Sequence, residues 1–228
     1  MSGLPWVVFR SIATIAFAIR FGHPDVAAED ATRYAAALQA EAVQSEFDPL
    51  TGVAIIHRES QFHPRAVSPD GEDYGLAQIR ARHIGVCKQD RNPRTRPSEA
   101  CRAVKESLLD PDENIRIMGQ IISAHRKLCR QKVGHASLLA WLASYQGSNS
   151  IKENRWCTPS DGAWSVLRYR DQLVREVAKR PKEIQAIENA LAQQAEERAK
   201  LADSRDDAAP APVETKQDEP KQDEPRGG

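Results

Sequence analysis

Apolar positions along this chain recur at helical spacing almost throughout, and the alternation expected of strands is nearly absent. Residues 29–46 form an alanine-rich segment whose larger apolar side chains are Tyr34, Leu38 and Val43. Asp48 followed by Pro49 reads as an N-cap with proline at the first helical position. The helix it opens extends to about Phe62 and stops before Pro64. Residues 68–75 (SPDGEDYG) carry turn chemistry and fit a short hairpin or an irregular loop. Residues 80–109 make a long, basic excursion punctuated by proline. Asp110-Pro111-Asp112-Glu113 then opens a helix in the manner of a capping box, with Ile115, Met118, Ile122 and Leu128 on its apolar face. Residues 136–145 carry Leu138, Trp141, Leu142 and Tyr145, and Gly147 stands where it can end that helix. Residues 161–179 repeat the pattern with Trp164, Leu167, Val174 and Val177. The expected fold is mainly α: a helical bundle with one small irregular or hairpin segment.

The two ends read differently. Arg10 precedes an apolar run at 11–19, and Val26-Ala27-Ala28 offers small residues for a signal peptidase, so residues 1–28 fit a secretory signal. The run is too short to span a bilayer. The competing reading is the ordinary start of a buried helix. Residues 181–205 form a charged, alanine-rich helix with a narrow strip of Ile184, Ile187 and Leu191, a surface for an envelope protein partner. Residues 206–228 double the unit KQDEP at Lys216 and Lys221 and cannot bury enough surface to order, so a disordered tail is expected. The domain that carries chemistry then spans 29–180.

Charge and cysteines narrow the partners. Thirty-two Lys and Arg balance thirty-two Asp and Glu over 228 residues, so no global field exists to hold a polyanion, and nucleic acid is not expected as a partner. The basic residues at 91–96 are broken by Pro93 and followed by Pro97, as in a solvated loop. Cys87, Cys101, Cys129 and Cys157 form an even set without a C-x-x-C pair. In an exported chain they would oxidise. Three pairings exist and the sequence does not choose among them; Cys87 with Cys101 closes a short loop and leaves Cys129 with Cys157, the pairing favoured here. His125 lies four residues before Cys129, but two ligands do not make a metal site, and none is expected.

Candidate chemistry centres on residues 55–62, IIHRESQF. Ile55, Ile56 and Phe62 lie four, three and three residues from Glu59, which puts this carboxyl on the stripe that faces the core. Desolvation there raises a carboxyl pKa, as a general acid near neutrality requires. Downstream stand Phe62-x-Pro64-x-Ala66-Val67-Ser68, then Gly75-Leu76-Ala77-Gln78-Ile79, then Asp110-Pro111-x-x-Asn114-Ile115 with Gly119, and Ala143-Ser144-Tyr145-Gln146-Gly147. This order and spacing resemble the SLT-type lytic transglycosylases, relatives of goose-type lysozyme, over roughly residues 35–180. Their pattern is a glutamate-serine pair, GLMQ, N-I-x-x-G and A-Y-N-x-G.

The resemblance implies a lysozyme-like fold that cleaves peptidoglycan glycan strands in the periplasm or cell envelope. It implies Glu59 as the sole catalytic carboxylate, acting first as acid and then as base. Ser60, Gln78, Asn114 and Tyr145 match the residues that bind or orient the sugar. The implied reaction forms 1,6-anhydromuramoyl ends without water and needs no metal or organic cofactor. Ala77 stands where methionine is usual, which implies a cleft wall without its thioether. Gln146 stands in place of asparagine, and Ser144 where alanine is common. Two other functions fit the same residues. A goose-type hydrolase would use Asp70, Glu72 or Asp73 to direct water, and a binding module would keep the cleft without activity.

Overall fold

The computed structural model describes residues 10–206. Its described residues form eight α-helices and one two-stranded ribbon, the mainly α fold expected. Helix α3 (Pro49–Ser60) is the centre of the bundle. Asp48 caps it by accepting from the Leu50 N–H, Pro49 takes the first turn, and every residue from Pro49 to Ile56 is buried. Around it pack α1 (Ile12–Gly22), α2 (Ala28–Gln44) and α7 (Asp161–Lys179). Ala31, Tyr34, Ala35, Leu38 and Ala42 give α2 a buried face of helical period, and its small residues let α1 lie close.

Helix α1 covers most of the apolar run of the expected N-terminal signal segment. Its apolar residues pack into the bundle: Ile15 and Ile19 have no exposed surface, and Ala13, Ala16, Phe17 and Ala18 are buried with them. Arg10, which reads as the basic flank of a signal, donates from Nε to Asp48 Oδ1 at 3.0 Å. Arg170 of α7 donates to Asp48 Oδ2 at 2.6 Å. One capping carboxylate thus ties the chain before α1 to α3 and α7. Burial works against the Asp48 carboxylate, but the two guanidinium groups outweigh it and hold its pKa below the usual range. The described bundle thus includes residues 10–28 together with the span from 29. A nine-residue apolar run after an arginine has the same composition in either role, and only its partners tell them apart.

The excursion at 80–109 is also more regular than expected. It holds helical turns at 81–83 and 85–89 and a full helix, α4 (Glu99–Ser107), capped by Ser98. The Cys87–Cys101 bridge pins α4 to the preceding turn, with Cα atoms 4.8 Å apart. The second bridge, Cys129–Cys157, joins α5 (Pro111–Val133) to the loop before α7, with Cα atoms 5.8 Å apart. Both favoured pairings are present. Helix α5 starts at Asp110, which accepts from Glu113 N–H, and ends at Gly134 in the left-handed region. Ile115, Met118 and Ile122 face the core as expected, and Cys129 rather than Leu128 continues that face.

The hairpin segment is minimal. Strands β1 (Asp73–Tyr74) and β2 (Ile79–Arg80) pair antiparallel, with Asp73 opposite Arg80 and Tyr74 opposite Ile79. Helix α6 (Leu138–Tyr145) packs on α5 and α7. Helix α8 (Pro181–Asp206) is divided between two units: up to Glu188 it belongs with the bundle, where Ile184 is buried, and from Asn189 it continues as a separate unit. No helix among the described residues is long and apolar enough to cross a membrane. The expected disordered tail falls, beyond Asp206, outside the described residues.

Candidate active site

The last turn of α3 leaves the core, and Glu59 stands where it does so. Gln61 caps the helix at φ 52°, and Phe62 follows at φ 63° with its ring buried. Two successive non-glycine residues in the left-handed region turn the chain sharply under the carboxyl, a conformation held by the packing of Phe62. Glu59 then lines an open groove of about 660 Å³ with Arg58, Ser60, His63, Arg65 and Gln78. Its carboxyl is half buried, and that burial raises its pKa; Asp73 pushes it further up, while Arg58 and the Gln146 amide pull it down. The acid form therefore persists to higher pH than in an exposed glutamate.

Three of the four expected binding residues surround this carboxyl. Ser60 lies beside it in the groove, its hydroxyl turned back to the Ile56 carbonyl at 3.4 Å. Gln78 also lines the groove, and its Nε2 donates to the Ala66 and Gly75 carbonyls at 3.1 and 2.9 Å. It therefore fastens the far wall of the groove to the ribbon. Tyr145, at the end of α6, donates to the Ala77 carbonyl at 3.4 Å. Burial and the nearby Glu59 carboxylate raise its hydroxyl well above the usual phenol range, so it remains a neutral donor.

Asn114 is placed differently. It has no exposed surface. Its Oδ1 accepts from the Ala77 N–H at 2.7 Å, and its Nδ2 donates to the Tyr74 and Leu108 carbonyls at 2.9 and 2.7 Å. Those bonds use both donors and one of the two acceptor positions of the amide, and the side chain has no exposed surface. Asn114 shapes the groove by holding the 74–77 loop instead of touching what enters it. Gly75 is required at the same point, because a Cβ there would collide with the Asn114 side chain and the Leu108 carbonyl. Ala77 is held at both its backbone N–H and its carbonyl, and its side chain is buried.

Gln146 is the residue whose part the sequence left open. Its Nε2 donates to Glu59 Oε1 at 3.5 Å. Gly162, at the start of α7, makes room for it, since a Cβ there would strike the Gln146 side-chain Oε1. The signal was its position directly after Tyr145. Ser144 is also legible in the structure: its hydroxyl meets His125 Nδ1 at 2.6 Å and accepts from Asn149 at 2.7 Å, which fixes the end of α6 against α5.

A family model described as the Transglycosylase SLT domain matches residues 36–159, more than half of the chain. The chain belongs to the SLT transglycosylase family. No curated protein and no solved structure matches it. The span matched to the SLT domain includes Glu59, Ser60, Gln78, Asn114, Tyr145 and Gln146. It leaves out α1 and all of α7, and with them Arg10 and Arg170, the two partners of Asp48. Among the described residues, no cluster of His, Cys, Asp or Glu could hold a metal ion; Cys129 is committed to its disulfide and His125 to Ser144.

Proposed function

We propose that this SLT domain is a lytic transglycosylase that breaks the β-1,4 bond between N-acetylmuramic acid and N-acetylglucosamine and leaves a 1,6-anhydro end. The observation that carries the reading is that Glu59 is the one carboxylate lining the groove among the described residues. Glycosidases ordinarily need two, one as acid and one as base or nucleophile. Here the neighbouring acids are already committed. Asp73 receives Arg80 through two hydrogen bonds of 2.8 Å. Glu72 is buried and paired with Arg82. Asp70 accepts from Ser68 and lies 3.8 Å from Arg80. Each is engaged within the 68–82 segment and none lines the groove, which argues against the hydrolase.

A single acid with a raised pKa supports a route in which the substrate provides the rest. Glu59 protonates the glycosidic oxygen as its bond to C1 breaks. The 2-acetamido oxygen of the muramic residue stabilises the cationic centre. The ionised Glu59 then takes the proton of the C6 hydroxyl as that oxygen bonds to C1, which restores the acid. No water is consumed. Gln146 holds the carboxyl in place through both steps, and Tyr145 keeps the Ala77 segment opposite it.

The two disulfides fit a chain that works in an oxidising compartment, and we place the reaction outside the cytoplasm, in the periplasm or envelope. Digestion of purified sacculi followed by mass analysis of the released ends tests the chemistry. Anhydro ends are expected; ends heavier by one water would make the protein a hydrolase, and no release would make it a binding module.

A further inference from the structure

At Arg58 the active-site groove adjoins a second groove of about 460 Å³, built between α3 and the outer face of α7. Its lining includes His57, Arg58, Arg168, Tyr169, Gln172 and Arg175. Arg168, Gln172 and Arg175 stand at i, i+4 and i+7, so one face of α7 presents two guanidinium groups in line. Arg58, Arg168 and Arg175 make no ion pair among the described residues. The acid in the lining, Asp171, is taken by Arg170 at 2.9 Å, and neighbouring Glu176 by Lys179 and Arg180. The floor is fixed: His57 Nδ1 meets His23 Nε2 at 2.7 Å, and its ring stacks on Tyr169 at 3.7 Å. In a chain with no net charge, three guanidinium groups without a close ion pair along one groove are a concentrated positive field.

We propose that this groove binds the anionic stem peptide of the muramic residue, so that the enzyme prefers peptide-bearing strands to bare glycan. The inference rests on the reading of the Glu59 groove as a peptidoglycan cleft. The peptide hangs from the lactyl group of the sugar whose C1 reacts, so it leaves the cleft close to Glu59. The start of α7 is at that point: a Cβ on Gly162 would lie 3.2 Å from Arg58 Nη2 and against Gln146. At 1.5 Å per residue, Arg168 lies about 9 Å and Arg175 about 20 Å along the helix from Gly162. An extended stem of about four or five residues reaches about 13–18 Å, which passes Arg168 and comes within reach of the long Arg175 side chain. Its carboxylates, on glutamate, on the diamino acid and at the terminus, are the groups that guanidinium forks pair with best.

The test is the charge reversal Arg168→Glu with Arg175→Glu, with Arg58 kept because it also lines the cleft. Turnover is compared on peptide-bearing strands and on strands stripped by an amidase. Binding of a synthetic stem tetrapeptide is measured in parallel by calorimetry. We expect kcat/KM on peptide-bearing strands to fall about tenfold, with stripped strands unchanged and tetrapeptide binding lost. Equal rates of parent and variant on peptide-bearing strands would overturn the proposal, as would an equal loss on both substrates. If the parent cleaves neither substrate but binds the tetrapeptide through these arginines, the groove stands and the reading of the Glu59 cleft fails.

Discussion

Removal of residues 1–28 should unfold the domain. The chain starting at Glu29 lacks Ile15 and Ile19, both wholly buried between α1 and its neighbours. Truncating one buried isoleucine to alanine costs about 2–5 kcal/mol, and deleting both residues with their helix costs more than the two truncations together. It also removes Arg10, leaving Asp48 with Arg170 as its remaining guanidinium partner. Losing one of two charged hydrogen-bond partners costs about 1.5–3 kcal/mol. The losses reach the whole stability of an ordinary domain, about 5–15 kcal/mol. The assay is denaturant and thermal unfolding of the full chain, of Ile19→Ala and of the chain from Glu29. Ile19→Ala should lower Tm by roughly 4–20 °C, taking 2–4 °C per kcal/mol at this size. The chain from Glu29 should show no cooperative transition. Protein isolated from its host should accordingly retain residues 10–28. A chain from Glu29 that melts cooperatively within a few degrees of the full protein would refute this and restore the removable leader.

Three further outcomes follow from the site and its supports. Because burial raises the Glu59 pKa, kcat/KM should hold to higher pH than an ordinary glutamate allows and fall as pH rises through the folded value; over the same window folding stability should decline, which pH titration of both quantities checks. Asn114→Ala strands the Ala77 N–H and the Tyr74 and Leu108 carbonyls, and should cost about 3 kcal/mol or more in chemical denaturation. Replacing Cys129 and Cys157 by alanine opens a loop closed over 28 residues and should lower stability by about 3–4 kcal/mol under oxidising conditions, read by the same method.

Where local chemistry sets a feature, the sequence was enough. Asp48-Pro49 and Asp110-Pro111 announce α3 and α5 because caps and first-turn prolines act within four residues. Glu59 was found from its place on an apolar stripe and from the blocks around it. What escaped depends on distant partners. The role of α1 rests on Asp48, thirty-eight residues after Arg10. The buried place of Asn114 is not legible either, because its spacing gives no sign that loop groups at Tyr74, Ala77 and Leu108 bond to both its donors and its oxygen. Helix α4 has few apolar residues to show a period; its anchor is Cys101, buried and bridged to Cys87. Gln146 reads as a neutral substitution until the fold brings it to Glu59 across eighty-seven residues.

Glu59→Gln is the most direct test of the chemistry. The amide keeps the shape of the side chain and can still accept from Gln146, but it has no proton to give and none to take. Removing an uncharged-on-demand group from a half-buried position should leave the fold as stable as the parent or more so at neutral pH. One acid–base group is typically worth about 10²–10⁴-fold, and Glu59 serves both steps, so release of anhydro ends from sacculi should fall at least to that extent. A folded Glu59→Gln protein that releases those ends within a few-fold of the parent rate would contradict the assignment of Glu59 as the acid and base.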